Sequence, residues 1–306
     1  MIVSSTRTVG PVSRRGLLLG AGALTLAACQ PRDEKGDEAS ADAGGPPQGS
    51  LAWAVAGAWR ADGRVRDRWR HPIETLDFFE ITPEATVIDF WPGAGWWTEI
   101  LAPYLAAGGG RLHAATFQVE REGGQPTNMA TAQIVARFRE RFTGNPRLYG
   151  QVELSEFGPT SGPVAPANST DLALFMCQLH NWMAAGIAEK AFGDAYAALK
   201  PGGVLGVVQH RGEVGETQDP AATSGYVQEA FVKQLAAEAG FAFVASSEVN
   251  ANPEDTKDHP FGVWTLPPES RTSPRGEPAN PAFDRTPYDA IGESDRMTLK
   301  FRKPTA

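Results

Sequence analysis

The chain has 306 residues, 42% hydrophobic and 21% charged, which excludes a fibrous or wholly disordered protein and provides enough apolar length for one large domain. Its 28 Lys and Arg against 36 Asp and Glu give a net charge of −8, so nucleic acid, which needs a basic stripe, is not an expected partner. The densest basic stretch, 60–70, is interrupted by Asp62 and Asp67.

In chain order, Arg14 and Arg15 precede an uncharged apolar run over 16–28, too short for a permanent membrane span. Ser13-Arg14-Arg15-Gly16-Leu17-Leu18 resembles a twin-arginine export signal. Leu26-Ala27-Ala28-Cys29 resembles a lipobox, in which Cys29 receives diacylglycerol. The expectation is a signal peptide over 1–28, lipidation at Cys29, a flexible linker over 29–50 and a single domain over 51–306. The linker is rich in Asp, Glu, Gly, Pro, Ala and Ser without apolar periodicity, so it buries too little surface to order itself. Loss of Arg7, Arg14 and Arg15 with the signal leaves 25 basic against 36 acidic residues, a net of about −11. The expected location is the periplasmic side, held to the membrane by lipid alone, with Gln30 favouring the outer membrane. Cys177, the other cysteine, lies in an apolar run and reads as packing.

From Glu84 onward, apolar strand-like runs alternate with helical patterns, the rhythm of βαβ units on a parallel sheet. Strands are predicted over 86–91, 111–116, 148–153, 171–177, 204–210, 242–249 and 295–302. Helices are predicted over 96–105, 129–142, 182–199 and 225–239. A Pro- and Asp-rich insert over 250–293 replaces a short connection, and long inserts there often fold over a ligand face.

Val87-Ile88-Asp89-Phe90-Trp91-Pro92-Gly93-Ala94-Gly95-Trp96-Trp97-Thr98 runs from strand through a glycine turn into helix. Glycine there lets the backbone approach a ligand, and the helix start offers unpaired N–H groups. Further blocks are Arg70-His71-Pro72, Glu74-Thr75-Leu76, His180-Asn181-Trp182-Met183, Leu199-Lys200-Pro201-Gly202-Gly203, His210-Arg211-Gly212 and Ser224-Gly225-Tyr226-Val227. Two more are Asn252-Pro253-Glu254-Asp255-Thr256-Lys257-Asp258 and Ile291-Gly292-Glu293-Ser294-Asp295-Arg296-Met297. With these the chain resembles, over most of its length beyond the linker, the predicted class I S-adenosylmethionine-dependent methyltransferases of exported bacterial proteins with a WPGxGW-type first motif.

The resemblance implies an α/β, Rossmann-like seven-stranded methyltransferase fold, mostly parallel with the last strand antiparallel. It implies S-adenosylmethionine as cofactor, set against Asp89, Trp91, Pro92, Gly93, Ala94 and Gly95, and methyl transfer to a small-molecule acceptor. Two residues depart from the usual D/E-x-G-x-G-x-G pattern and its partner strand. Trp91 stands at the first glycine position, and Leu112-His113-Ala114-Ala115-Thr116-Phe117 lacks the carboxylate that such enzymes give to the ribose. Thr116 or Gln118 is left to offer one hydrogen bond. A second reading therefore stays open, a non-catalytic ligand-binding or envelope module that kept the fold.

The ends of the first, fourth and fifth strands adjoin in this fold, which groups His180 and Asn181 with His210 and Arg211. Two histidines there suit a general base and acid; the plainer reading has each satisfying a loop or capping a helix. No HxH or CxxC spacing occurs, so no metal is expected, and a hydrolase metal shared with Asp258 or His259 is the remote alternative. Trp91, Trp96 and Trp97 either stack on a planar ligand or pack. Arg66, Arg68, Arg70 and His71 either bind an anion or form a solvated helical face.

Overall fold

The computed structural model describes residues 45–119 and 128–305, so the expected signal peptide, Cys29 and most of the linker lie outside the described residues. Strand alternation builds the centre. In β1 (Thr86–Phe90), Val87 joins Leu172 and Leu174 of β4 (Thr170–Met176) on one face, while Ile88 and Phe90 join Ala173 and Phe175 on the other. Both faces are covered, which is why these strands read as nearly continuous apolar runs.

The other strands are β2 (Arg111–Phe117), β3 (Val152–Phe157), β5 (Leu199–His210), β6 (Ala242–Ser247), β7 (Pro260–Val263) and β8 (Arg296–Arg302). Seven form one sheet in the order β3-β2-β1-β4-β5-β8-β6, and β8 runs antiparallel to β5 and β6. The remaining pairs are parallel. This is the expected α/β fold, with the last strand antiparallel beside the fifth.

The helices are α1 (Leu51–Ala56), α2 (Asp67–Arg70), α3 (Pro72–Phe78), α4 (Thr98–Gly108), α5 (Met129–Thr143) and α6 (Pro146–Tyr149). They continue with α7 (Leu179–Ala184), α8 (Ala188–Ala198), α9 (Glu229–Glu238) and α10 (Thr286–Ile291). Leu51, Leu76, Leu101 and Phe142 of α1, α3, α4 and α5 bury against the Val87 face. Trp182, Phe192 and Leu235 of α7, α8 and α9 bury against the Phe90 face. Trp182 is fully buried, its ring 4.7 Å from Phe175 and 5.5 Å from Phe157.

Four elements differ from expectation, the first being β5, which starts at Leu199 rather than 204. The third strand starts at Val152 rather than 148, because Pro146 opens a one-turn helix that Gly150, at φ +64°, ends. The helix expected over 182–199 is two, broken at Gly186 with φ +67°. The helix expected over 225–239 begins at Glu229, since Val227 is drawn into a parallel bridge with Arg211. The insert over 250–293 contains β7 and α10 and closes over the strand ends.

Candidate functional site

The sheet order reverses between β1 and β4, and the crevice at such a switch point is where open α/β sheets bind ligands. A cavity of about 350 Å³ lies there. Asp89, Trp91, Pro92, Gly93 and Ala94 line it from β1 and its turn, Met176, Cys177, Gln178, His180 and Asn181 from the end of β4 and the start of α7, and His210 from β5. The insert contributes Val263, Trp264 and Leu266–Glu269; Arg66, Arg70, Trp96 and Trp97 form another wall; Ser294 and Arg296 come from the start of β8.

The two histidines meet as the topology requires, their ring centroids 5.3 Å apart. Gln209 sets the tautomer of His180. Its buried amide nitrogen donates to Gly225 O at 3.1 Å and lies 3.2 Å from His180 Nδ1. Flipping the amide would put oxygen against a carbonyl, so Nδ1 accepts and His180 carries its proton on Nε2. His210 Nδ1 lies 2.6 Å from Ser294 Oγ. Burial pushes His180 down to about 4, and burial with the nearby His180, Arg296, Arg70 and Arg66 holds His210 well below its usual range. Both rings are neutral at pH 7. Asn181 lies beside them, exposed, with Nδ2 donating to Gln178 Oε1 at 3.0 Å.

Asp89 is 1% exposed on the Val87 face. Burial pushes its carboxyl up to about 7 against a smaller pull from the neighbouring Thr98 hydroxyl. By geometry neither Asp89 oxygen nor Thr98 Oγ1 completes a hydrogen bond. An uncharged Asp89 is therefore substantially populated at neutral pH.

Three residues expected at the site have other tasks. Gly95, at φ +90°, is absent from the cavity wall: a Cβ there would sit 2.2 Å from the Phe142 ring, so this glycine admits α5 rather than a ligand. Thr116 is buried and donates Oγ1 to Ser155 O at 3.1 Å, spending its hydroxyl within the sheet. Arg211 forms a bidentate pair with Asp295, Nε to Oδ2 at 3.0 Å and Nη2 to Oδ1 at 2.8 Å, and reaches Glu248. It clamps the end of β5 to the segment before β8. Gly93 differs from Gly95: at φ +61° it has open space where a Cβ would stand.

Sequence reasoning missed Glu293, Ser294, Arg296 and Trp264. A block containing the first three was visible, but nothing local ties it to Arg66 and Arg70. It also missed the anchor of the insert. Asp255, buried, accepts from Tyr226 Oη at 2.9 Å and from Asp295 N at 2.8 Å, and pairs with His259 Nε2 at 2.8 Å. His259 is thereby committed to Asp255. Among the described residues no group of His, Cys, Asp or Glu has the arrangement to hold a metal ion.

No known family model and no curated protein matches this sequence. Solved structures do. One from Galdieria sulphuraria, described as a candidate sarcosine dimethylglycine methyltransferase, shares 15% identity over 80% of this chain and 87% of its own, with a TM-score of 0.52. The fold is the Rossmann-like methyltransferase fold. A Haloferax volcanii methyltransferase candidate, solved with the Trm112 activator, shares 16% identity over 81% of this chain and 96% of its own, TM-score 0.47. A SAM-dependent methyltransferase from Aquifex aeolicus shares 17% over 64% and 93%, TM-score 0.46. Identities this low speak for the fold alone.

S-adenosylmethionine is consistent with that fold, and the open Gly93 backbone suits its approach. The nucleoside side is another matter. Trp91, at φ +50°, turns its indole over the ends of β2 and β3, with its ring 4.6 Å from Phe117 and Nε1 donating to Phe157 O at 2.8 Å. That is the side on which the resemblance implies a ribose; the indole stands there, and among the described residues no carboxylate stands at the end of β2. The residues present fit a cofactor at the glycine turn and do not fit its nucleoside.

Proposed function

We propose that this chain is a small-molecule enzyme on the methyltransferase fold, working at the β1/β4 switch point through a pair of neutral histidines. The observation that carries this reading is the pairing of His180 and His210 in the cavity wall. His180 presents an Nε2–H donor. In the tautomer in which His210 gives its Nδ1–H to Ser294 Oγ, its Nε2 is a proton acceptor, and a donor and a base then stand side by side without a charge to desolvate. Asp89, protonated for part of the time near neutrality, is a further proton carrier lining the same cavity.

Methyl transfer to a small-molecule acceptor is the activity that the resemblance implies. The fold and the open Gly93 favour it, with His210 taking the acceptor's proton, and Trp91 opposes it. Calorimetry with S-adenosylmethionine and S-adenosylhomocysteine separates the cases. The expected result is no measurable binding by the wild-type chain and binding by Trp91→Gly, which opens the nucleoside side. Micromolar binding by the wild type would show that the indole yields and would make methyl transfer the activity. Silence from both proteins would remove S-adenosylmethionine from the reading.

The export signals support placing the chain on the periplasmic side, anchored by lipid at Cys29 and favouring the outer membrane. Metabolic labelling with a fatty-acid analogue is expected to mark the wild type and not Cys29→Ala. Equal labelling would sink the anchor.

A further inference from the structure

Three guanidiniums line the cavity and converge on one carboxylate. Arg66 Nε donates to Glu293 Oε1 at 2.5 Å, Arg70 Nε lies 3.4 Å from Oε2, and Arg296 Nη2 closes on that same oxygen. Arg296 spends Nη1 on Trp69 O at 3.1 Å, and its buried Nε has no hydrogen-bond partner. The Nη groups of Arg66 and Arg70 have no acceptor among the described residues, and Arg70 rests over the Trp96 ring at 4.7 Å.

The rest of the cavity does not balance this charge. His180 and His210 are neutral, Asp89 is held near half-protonation at pH 7, and Glu269 faces Arg271 at 3.7 Å. Despite burial, Arg296 is held above its ordinary range by Glu293 with further attraction from Asp255, so the cation left short of an anion is Arg70, which shares the single Glu293 carboxylate with Arg66 and Arg296 in low-dielectric surroundings. Burial pulls Arg70 down to about 10, with smaller repulsion from Arg296 and Arg66, and the attraction of Glu293 does not make up the difference. Val263, Trp264 and Leu266 give the same cavity an apolar and aromatic stretch of wall.

We propose that the cavity takes an organic carboxylate, its oxygens held by the free forks of Arg66 and Arg70 and its carbon body set against Trp264, Val263 and Leu266. Planar guanidinium forks match a carboxylate in two parallel hydrogen bonds, and the apolar wall suits a carbon skeleton better than inorganic phosphate. The inference rests on the reading of this cavity as the ligand site and adds the chemical class of the ligand.

The test is calorimetry on the full chain with benzoate, its neutral isostere benzamide and inorganic phosphate. Benzoate is expected to bind about tenfold or more tightly than benzamide, the margin typical of a charge-assisted contact. Arg66→Gln, which leaves Glu293 paired with Arg70 and Arg296, is expected to shrink that margin, with benzoate losing more affinity than benzamide; Arg70→Gln is the second variant. Equal binding of benzoate and benzamide, a margin that neither variant shrinks, or phosphate binding tighter than benzoate would each overturn the carboxylate assignment. If no probe binds, the cavity is not a ligand site and the function proposed above falls with it.

Discussion

Replacing Glu293 with Gln is expected to lower the unfolding free energy by about 3–5 kcal/mol, the range for removing one partner of a buried ion pair. Glu293 is 2% exposed, and its carboxylate is the common acceptor for Arg66, Arg70 and Arg296. Burial alone would push its pKa up, but the guanidiniums of Arg296, Arg70 and Arg66 overcome that and hold it at about 2. The folded value is depressed, so this group's stabilisation is present above its ordinary value of 4.5 and is lost as pH falls toward about 2. The Gln variant should lack that part of the acid sensitivity. Urea denaturation followed by tryptophan fluorescence, at neutral pH and again between pH 4.5 and about 2, reads both effects. A loss below about 1 kcal/mol would place the pair in the class of weak surface bridges and remove the charge argument for the cavity.

Asp89→Asn should act in the opposite direction. The Asp89 carboxyl rises from 3.8 to about 7 on folding because burial disfavours its charged form. A raised carboxyl stabilises the fold fully below 3.8, and that contribution disappears as pH climbs through 7. A tenfold change in acidity corresponds to about 1.36 kcal/mol, so the uncharged Asn is expected to be more stable than the wild type by on the order of 4 kcal/mol at mildly alkaline pH. Near pH 4 the two should be alike. His180 and His210, whose lowered values destabilise the fold as pH falls below 6.5, are common to both chains and cancel in the difference. Paired urea titrations across this range supply the measurement. An Asn variant less stable than the wild type at high pH would mean that the Asp89 charge is satisfied in the folded protein.

Particular residues show what was legible. The β1, β4 and β5 strands can be read from their apolar runs, and the topology rule then places His180 beside His210. The start of β3 is hidden because Leu148 and Tyr149 are as apolar as strand residues, yet they pack from a one-turn helix. Position in the motifs and strand ends points Gly95, Thr116 and Arg211 toward the site. Each instead has a partner from a distant segment, Phe142, Ser155 or Asp295, that no local pattern announces.

By itself the sequence determined the order and type of most elements, the glycine turn and the strand ends that meet, because period-2 and helical spacing are local properties of the chain. Only the tertiary structure decided which way Trp91 turns and that Arg66, Arg70 and Arg296 gather round Glu293. The direction of the indole depends on Phe117 and Phe157 offering a ring and a carbonyl, and the arginine cluster depends on segments 227 residues apart coming together. Contacts of that range arise from the packing of the whole sheet and its insert, so no stretch of the chain records them.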